Sequence, residues 1–133
     1  MNESGRAVQQ AMQFYKIPLD KVTVFHDELD LAPGKIRMKT GGGIAGHNGL
    51  RSIRQHVGED YHRVRLGIGH PGQKNKVHGY VLSDFAKSEH EWVADYIDAL
   101  ARSAEHLAIG EHDKYQSAVD LLAPAPSAKP RRN

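Results

Sequence analysis

A single α/β domain is what this sequence predicts, and three observations predict it. Residues 35–40 (KIRMKT) and 63–70 (RVRLGIGH) alternate polar with apolar, the period of a strand. Residues 4–15 and 88–109 instead repeat their apolar positions at helical spacing. Between the first helix and the first alternating strand, the β-branched and aromatic KVTVFH at 21–26 runs into an acidic turn, DELDLAPG. The chain has 133 residues, 39% of them hydrophobic, which supplies one core and not two.

In order along the chain, Ala7, Val8, Ala11, Met12 and Tyr15 form one apolar stripe on a helix over 4–15, and Ile17-Pro18 ends it because proline disfavours helix in the residue before it. In the strand over 35–40, Ile36 and Met38 face a core, while Lys35, Arg37 and Lys39 share the opposite face. Five glycines in the nine residues 41–49 (GGGIAGHNG) lead into Leu50, Ile53 and Val57 at helical spacing, and Asn48 suits the N-cap of that helix. The strand over 63–70 places Val64, Leu66 and Ile68 inward and Arg63 and Arg65 outward. HPGQKN is a turn, 77–82 a short further segment, 88–109 a long amphipathic helix with an acidic face, and 113–122 a last short helix. The domain is expected over 1–122, with 123–133 a disordered basic tail.

A net charge of +2 hides a strong polarity. Residues 34–82 hold nine basic groups against two acidic, a local +7, whereas 83–122 hold three basic against nine acidic, a local −6. Clustered cations of this kind suit a polyanionic partner; scattered over a surface and paired with the acidic segment, they would mean nothing of the sort. The chain has no cysteine, which removes disulfides and thiolate chemistry. No apolar run approaches the length of a membrane span, and the first twenty residues lack a secretory pattern, so a cytoplasmic protein is expected.

Four places concentrate polar groups. Asn2-Glu3-Ser4-Gly5 precedes the first helix, where capping alone would explain it. His26-Asp27-Glu28 ends a strand, where a carboxylate can orient an imidazole or simply cap a turn. The glycine loop with His47-Asn48 lets a ligand approach backbone near a helix start, yet it fits neither a Walker A loop nor a dinucleotide fingerprint. The nine histidines are dispersed, with no HExxH and no tight H-x-H spacing, so no metal is expected.

Taken together, MNxSG at 1–5, HDELDLxPG at 26–34, GGGxxGHNGLRSI at 41–53, and HRVRLGIGHPG at 62–72 followed by KNKV resemble bacterial peptidyl-tRNA hydrolase. The resemblance implies a twisted mixed β-sheet flanked by helices, and hydrolysis of the ester between a peptide and the 3′ ribose of tRNA. It implies no metal and no organic cofactor, tRNA as partner, and a monomer. By the same resemblance Asp27 orients and stabilises a general-base histidine. Asn2, Asn48 and His47 bind the peptide or 3′-terminal part of the substrate, and Arg37, Lys39, Arg65 and Lys74 hold the tRNA acceptor arm. The family's common glycine loop reads GGGHGGHNG, where this chain has Ile44 and Ala45. The family's GLGNPG and RHNAG motifs do not occur in the 133 residues, and none of the nine histidines occupies the RHNAG position of the general base. The expectation is therefore the C-terminal portion of the enzyme, without its first strands. The alternatives are a non-catalytic tRNA- or RNA-binding remnant and, more remotely, a metal-dependent hydrolase.

Overall fold

The computed structural model describes residues 3–126. Asn2 and residues 127–133 of the expected tail lie outside them. The elements run α1 (Ser4–Tyr15), β1 (Thr23–Glu28), β2 (Ile36–Thr40), α2 (Asn48–Val57), β3 (His62–Gly67), α3 (Val77–Val81), α4 (His90–Arg102), α5 (Ala104–Ala108) and α6 (His112–Leu122). This is an α/β fold with a mixed three-stranded sheet ordered β1-β3-β2. Its hand is written in the backbone bonds. His62 N–H donates to Val22 O and Ile68 N–H to Glu28 O, a constant offset that makes β1 and β3 parallel; Gly41 N–H donates to Tyr61 O and Gly67 N–H to Lys35 O, a constant sum that makes β2 antiparallel to β3.

The chain divides into two units, Met1–Phe25 with Lys39–Val64, and His26–Met38 with Arg65–Asn133, so every strand gives one end to each. In the first unit, α2 buries Leu50 and Ile53 against Tyr61, and Val8, Leu19, Val22, Val24, Ile44 and Val57 pack around them. Helix α1 has the expected bounds, but of its predicted stripe only Val8 and Met12 are half-buried; Ala7, Ala11 and Tyr15 are exposed. What brings α1 onto α2 is Gly5. Its N–H donates to the buried Ser52 Oγ at 2.9 Å, and a Cβ there would collide with the Ser52 carbonyl and lie 2.5 Å from His56 Nδ1. Lys16 then takes a left-handed conformation (φ 55°) as the C-cap and closes α1 before Pro18.

The second unit is held by tyrosines. The Tyr96 hydroxyl donates to Lys35 O at 2.8 Å and the Tyr115 hydroxyl to Leu100 O at 2.9 Å. Burial pushes the Tyr115 hydroxyl up to about 12 and the Tyr96 hydroxyl well above its usual range, so both remain donors at neutral pH. From α6, Gln116 Oε1 accepts Met38 N–H at 2.8 Å, supplying the acceptor for a strand N–H. The single helix expected over 88–109 is instead two, α4 and α5, parted at the buried Ser103 (φ −90°, ψ 0°). The buried Ser103 Oγ finds no hydrogen-bond partner among the described residues, and the apolar period does not register such a break. The chain stays packed past 122: Ala123 and Ala125 are buried, and a Cβ on Gly34 would lie 2.8 Å from Pro126 Cδ and 3.2 Å from the Trp92 ring. The tail expected from residue 123 is thus ordered as far as 126, because small apolar residues pack there at no periodicity.

Candidate functional site

In the first unit, the glycine loop delivers a histidine to a helix start. His47 is the N-cap of α2: its Nδ1 accepts Leu50 N–H at 3.1 Å. The cap expected at Asn48 is therefore one residue earlier, and Asn48, now the first helical residue, keeps an exposed side chain. Because the cap uses the Nδ1 lone pair, neutral His47 carries its proton on Nε2. A Cβ on the buried Gly49 would sit 3.0 Å from His47 Cε1 and 3.7 Å from Ser4 Oγ, which puts Ser4 of MNESG beside the GHNG segment across 45 residues of sequence.

The loop takes left-handed backbone at Gly41 (φ 66°), Gly42 (φ 93°), Ala45 (φ 47°) and Gly46 (φ 78°). Only Ala45 pays a steric cost for this, at the place where the common form of the loop has glycine. The Lys39 side chain lies against Gly42, where a Cβ would be 2.6 Å from Lys39 Cε and 2.9 Å from Nζ. Lys39 itself is exposed.

Beneath the loop is a residue that sequence reasoning placed wrongly. Arg63, expected to face outward, is 1% exposed. Its Nη1 donates to Gly43 O at 2.6 Å and Nη2 to Gly42 O at 2.8 Å, and its guanidinium stands 4.8 Å over the Tyr61 ring. Burial raises the Tyr61 hydroxyl's pKa, and the Arg63 charge opposes the rise. The alternation of β3 misleads because β3 is the central strand, where alternation does not mark a wet face.

In the second unit, β1 ends on His26, Asp27 and Glu28. His26 Nδ1 donates to the Asp27 carbonyl at 2.9 Å, and Asp27 is half-buried. Arg65 Nε donates to Glu28 Oε1 at 3.0 Å with both side chains mostly buried. Of the remaining expected cations, Arg37 donates to Ile36 O at 2.7 Å and lies 3.9 Å from Asp120 Oδ2, both carboxylate and guanidinium being substantially exposed. Lys74 is exposed in a single 3-10 turn, Lys74–Lys76. His70 Nδ1 accepts Gly72 N–H at 3.0 Å in the HPG turn. Among the described residues no cluster of His, Asp and Glu could hold a metal ion.

In the first unit, then, Ser4 and His47 lie beside Gly49 and Arg63 holds the loop from below; in the second, Arg65 pairs with Glu28 at the end of β1. Comparison with known proteins gives these groups a family. The peptidyl-tRNA hydrolase family profile matches residues 1–127. The chain is 57% identical over 131 residues to the peptidyl-tRNA hydrolase of Phenylobacterium zucineum (98% of this chain, 63% of that one) and 64% identical over 121 residues to that of a Methylobacterium species, strain 4-46 (91% and 60%). A crystal structure of peptidyl-tRNA hydrolase from Acinetobacter baumannii superposes with a TM-score of 0.82 at 42% identity, covering 94% of this chain and 64% of that one. The chain accordingly spans a little over 60% of the length of these relatives.

Proposed function

The chain belongs to the peptidyl-tRNA hydrolase family, and on that premise we propose that its residues serve cleavage of the ester between a peptide and the 3′ ribose of tRNA. The observation that supports this most directly is the approach of Ser4 of MNESG to Gly49 of GHNG, since both motifs are tied by resemblance to the peptidyl and 3′ end of the substrate. The exposed amide of Asn48 offers donors to a carbonyl, and donors aimed at an ester oxygen stabilise the charge that develops on it.

In this reading a histidine takes a proton from water and the hydroxide attacks the ester carbonyl. The bond to the ribose 3′ oxygen then breaks, and that oxygen takes up a proton. Asp27 orients the imidazole; that imidazole is none of the nine present, because RHNAG is absent from the 133 residues. Exposed Lys39 and Lys74 are the cations readiest to meet acceptor-arm phosphates, while Arg37 and Arg65 must first exchange the contacts they already make. A cytoplasmic monomer belongs to the same proposal. A second reading is a tRNA-binding module that does not hydrolyse.

One assay separates them. N-acetylaminoacyl-tRNA incubated with the chain, with and without added imidazole to stand in for the base, is expected to lose its aminoacyl group, faster with imidazole. Asp27→Ala should abolish that stimulation while leaving tRNA binding within about twofold. Binding with a steep salt dependence but no cleavage under either condition would select the non-catalytic reading. Neither binding nor cleavage would overturn both.

A further inference from the structure

We infer that Arg63 is a positioning residue, whose buried guanidinium holds the consecutive carbonyls of Gly42 and Gly43 and so sets the loop that offers His47 and Asn48 to the substrate's 3′ end. The substrate half of this inference rests on the function proposed above. A guanidinium is a rigid fork whose parallel N–H groups usually meet a carboxylate. Here two neighbouring peptide carbonyls stand in the carboxylate's place, at 2.6 and 2.8 Å. Among the described residues Arg63 has no ion-pair partner, and its buried Nε has no acceptor.

A buried cation without a counter-charge is costly, and here that cost is set against two charge-assisted hydrogen bonds to peptide carbonyls. The charge is sited where the loop needs two donors. Among the described residues the loop's backbone bonds are Gly41 N–H to Tyr61 O at its start and His47 N–H to Ile44 O, which closes a turn in its second half. Gly42 and Gly43 lie between these bonds, and Arg63 anchors them from the central strand. The Tyr61 ring, fully buried beneath the guanidinium, fixes the plane of the fork.

The test uses Arg63→Lys, which keeps the charge and the stem but offers one nitrogen where the fork offered two. Amide hydrogen exchange at residues 43–47 should quicken about tenfold while the Ile53 amide in α2 is unchanged. The probe for binding is a CCA trinucleotide carrying an N-acetylated amino acid through an uncleavable 3′ amide. Its affinity should fall about tenfold with no change in salt slope, because loop geometry and not phosphate neutralisation is lost. In the unaltered chain, resolved Nη protons of Arg63 should show scalar coupling to the Gly42 and Gly43 carbonyl carbons, a readout that needs no variant to fold.

Unchanged loop exchange, equal quickening at Ile53, or a freely rotating guanidinium would each overturn the clamp. A loosened loop with undiminished probe affinity would overturn its role toward substrate. If the unaltered chain fails to bind the probe at all, the proposed function falls, and the substrate half of the inference with it, while the exchange data still decide the clamp.

Discussion

Arg63 and Arg65 stand two residues apart on β3 and point to the same side of the strand, yet they live in different chemical worlds. In the first unit, Arg63 is sealed from water, spends its donors on two loop carbonyls and, among the described residues, meets no carboxylate. In the second, Arg65 keeps 26% of its side chain exposed and pairs with Glu28. The first is architecture. The second is a charge already partly neutralised, which a phosphate would have to win from a carboxylate. A basic stretch of sequence is thus a mixture, and of its nine cations the exposed ones, Lys39 and Lys74 among them, are those in a position to meet a polyanion directly.

Substitutions can break or sharpen this contrast. The largest effect is expected from Arg63→Met, which empties the fork from beneath the loop and should lower unfolding free energy by about 2–3 kcal/mol in a urea titration. A cost below about 1 kcal/mol would place Arg63 in the same class as Arg65. Next comes the cap that the loop delivers: His47→Ala should lose about 1 kcal/mol and His47→Asn should recover most of it, since asparagine caps well. Loss in both variants alike would mean that the imidazole's role in stability is not capping.

For Arg65 the sharper change is made on its partner. Glu28→Gln keeps an oxygen to accept from Nε but removes the negative charge, so tRNA binding at low salt should tighten about threefold and its salt slope steepen by up to about one unit. An unaltered slope would show that Arg65 stays out of phosphate contact even when released. The smallest effect is predicted for Ala45→Gly. Relief of left-handed strain and the greater entropy of an unfolded glycine oppose each other, so the unfolding midpoint should correspond to a change under about 0.5 kcal/mol.

Much of the fold was legible in the residues. Helix α1 has the bounds that its spacing predicts, α6 starts one residue earlier than expected, and the strands begin or end within three residues of the alternating segments. Periodicity reports such elements because backbone geometry sets it locally. The errors have a different origin. The cap moved from Asn48 to His47, the long helix broke at Ser103, and residues 123–126 packed where a free tail was expected. Each depends on a neighbour's geometry or on a partner distant in sequence.

The candidate site divides in the same way. The motifs at 26–34, 41–53 and 62–72 were read from sequence, and resemblance supplied roles for Asp27, His47, Asn48 and the exposed lysines. No linear pattern distinguished Arg63 from Arg65, because both occupy the polar positions of one alternating strand. Their difference comes from what lies opposite, glycine carbonyls in one case and the Glu28 carboxylate in the other. By itself the sequence determined the elements, the charge polarity and the family resemblance, all of which are properties of neighbours along the chain. The tertiary structure alone decided which cation is buried, which histidine nitrogen caps a helix and which glycine admits no side chain. Those outcomes follow from desolvation and hydrogen-bond partners that meet only when the chain has folded.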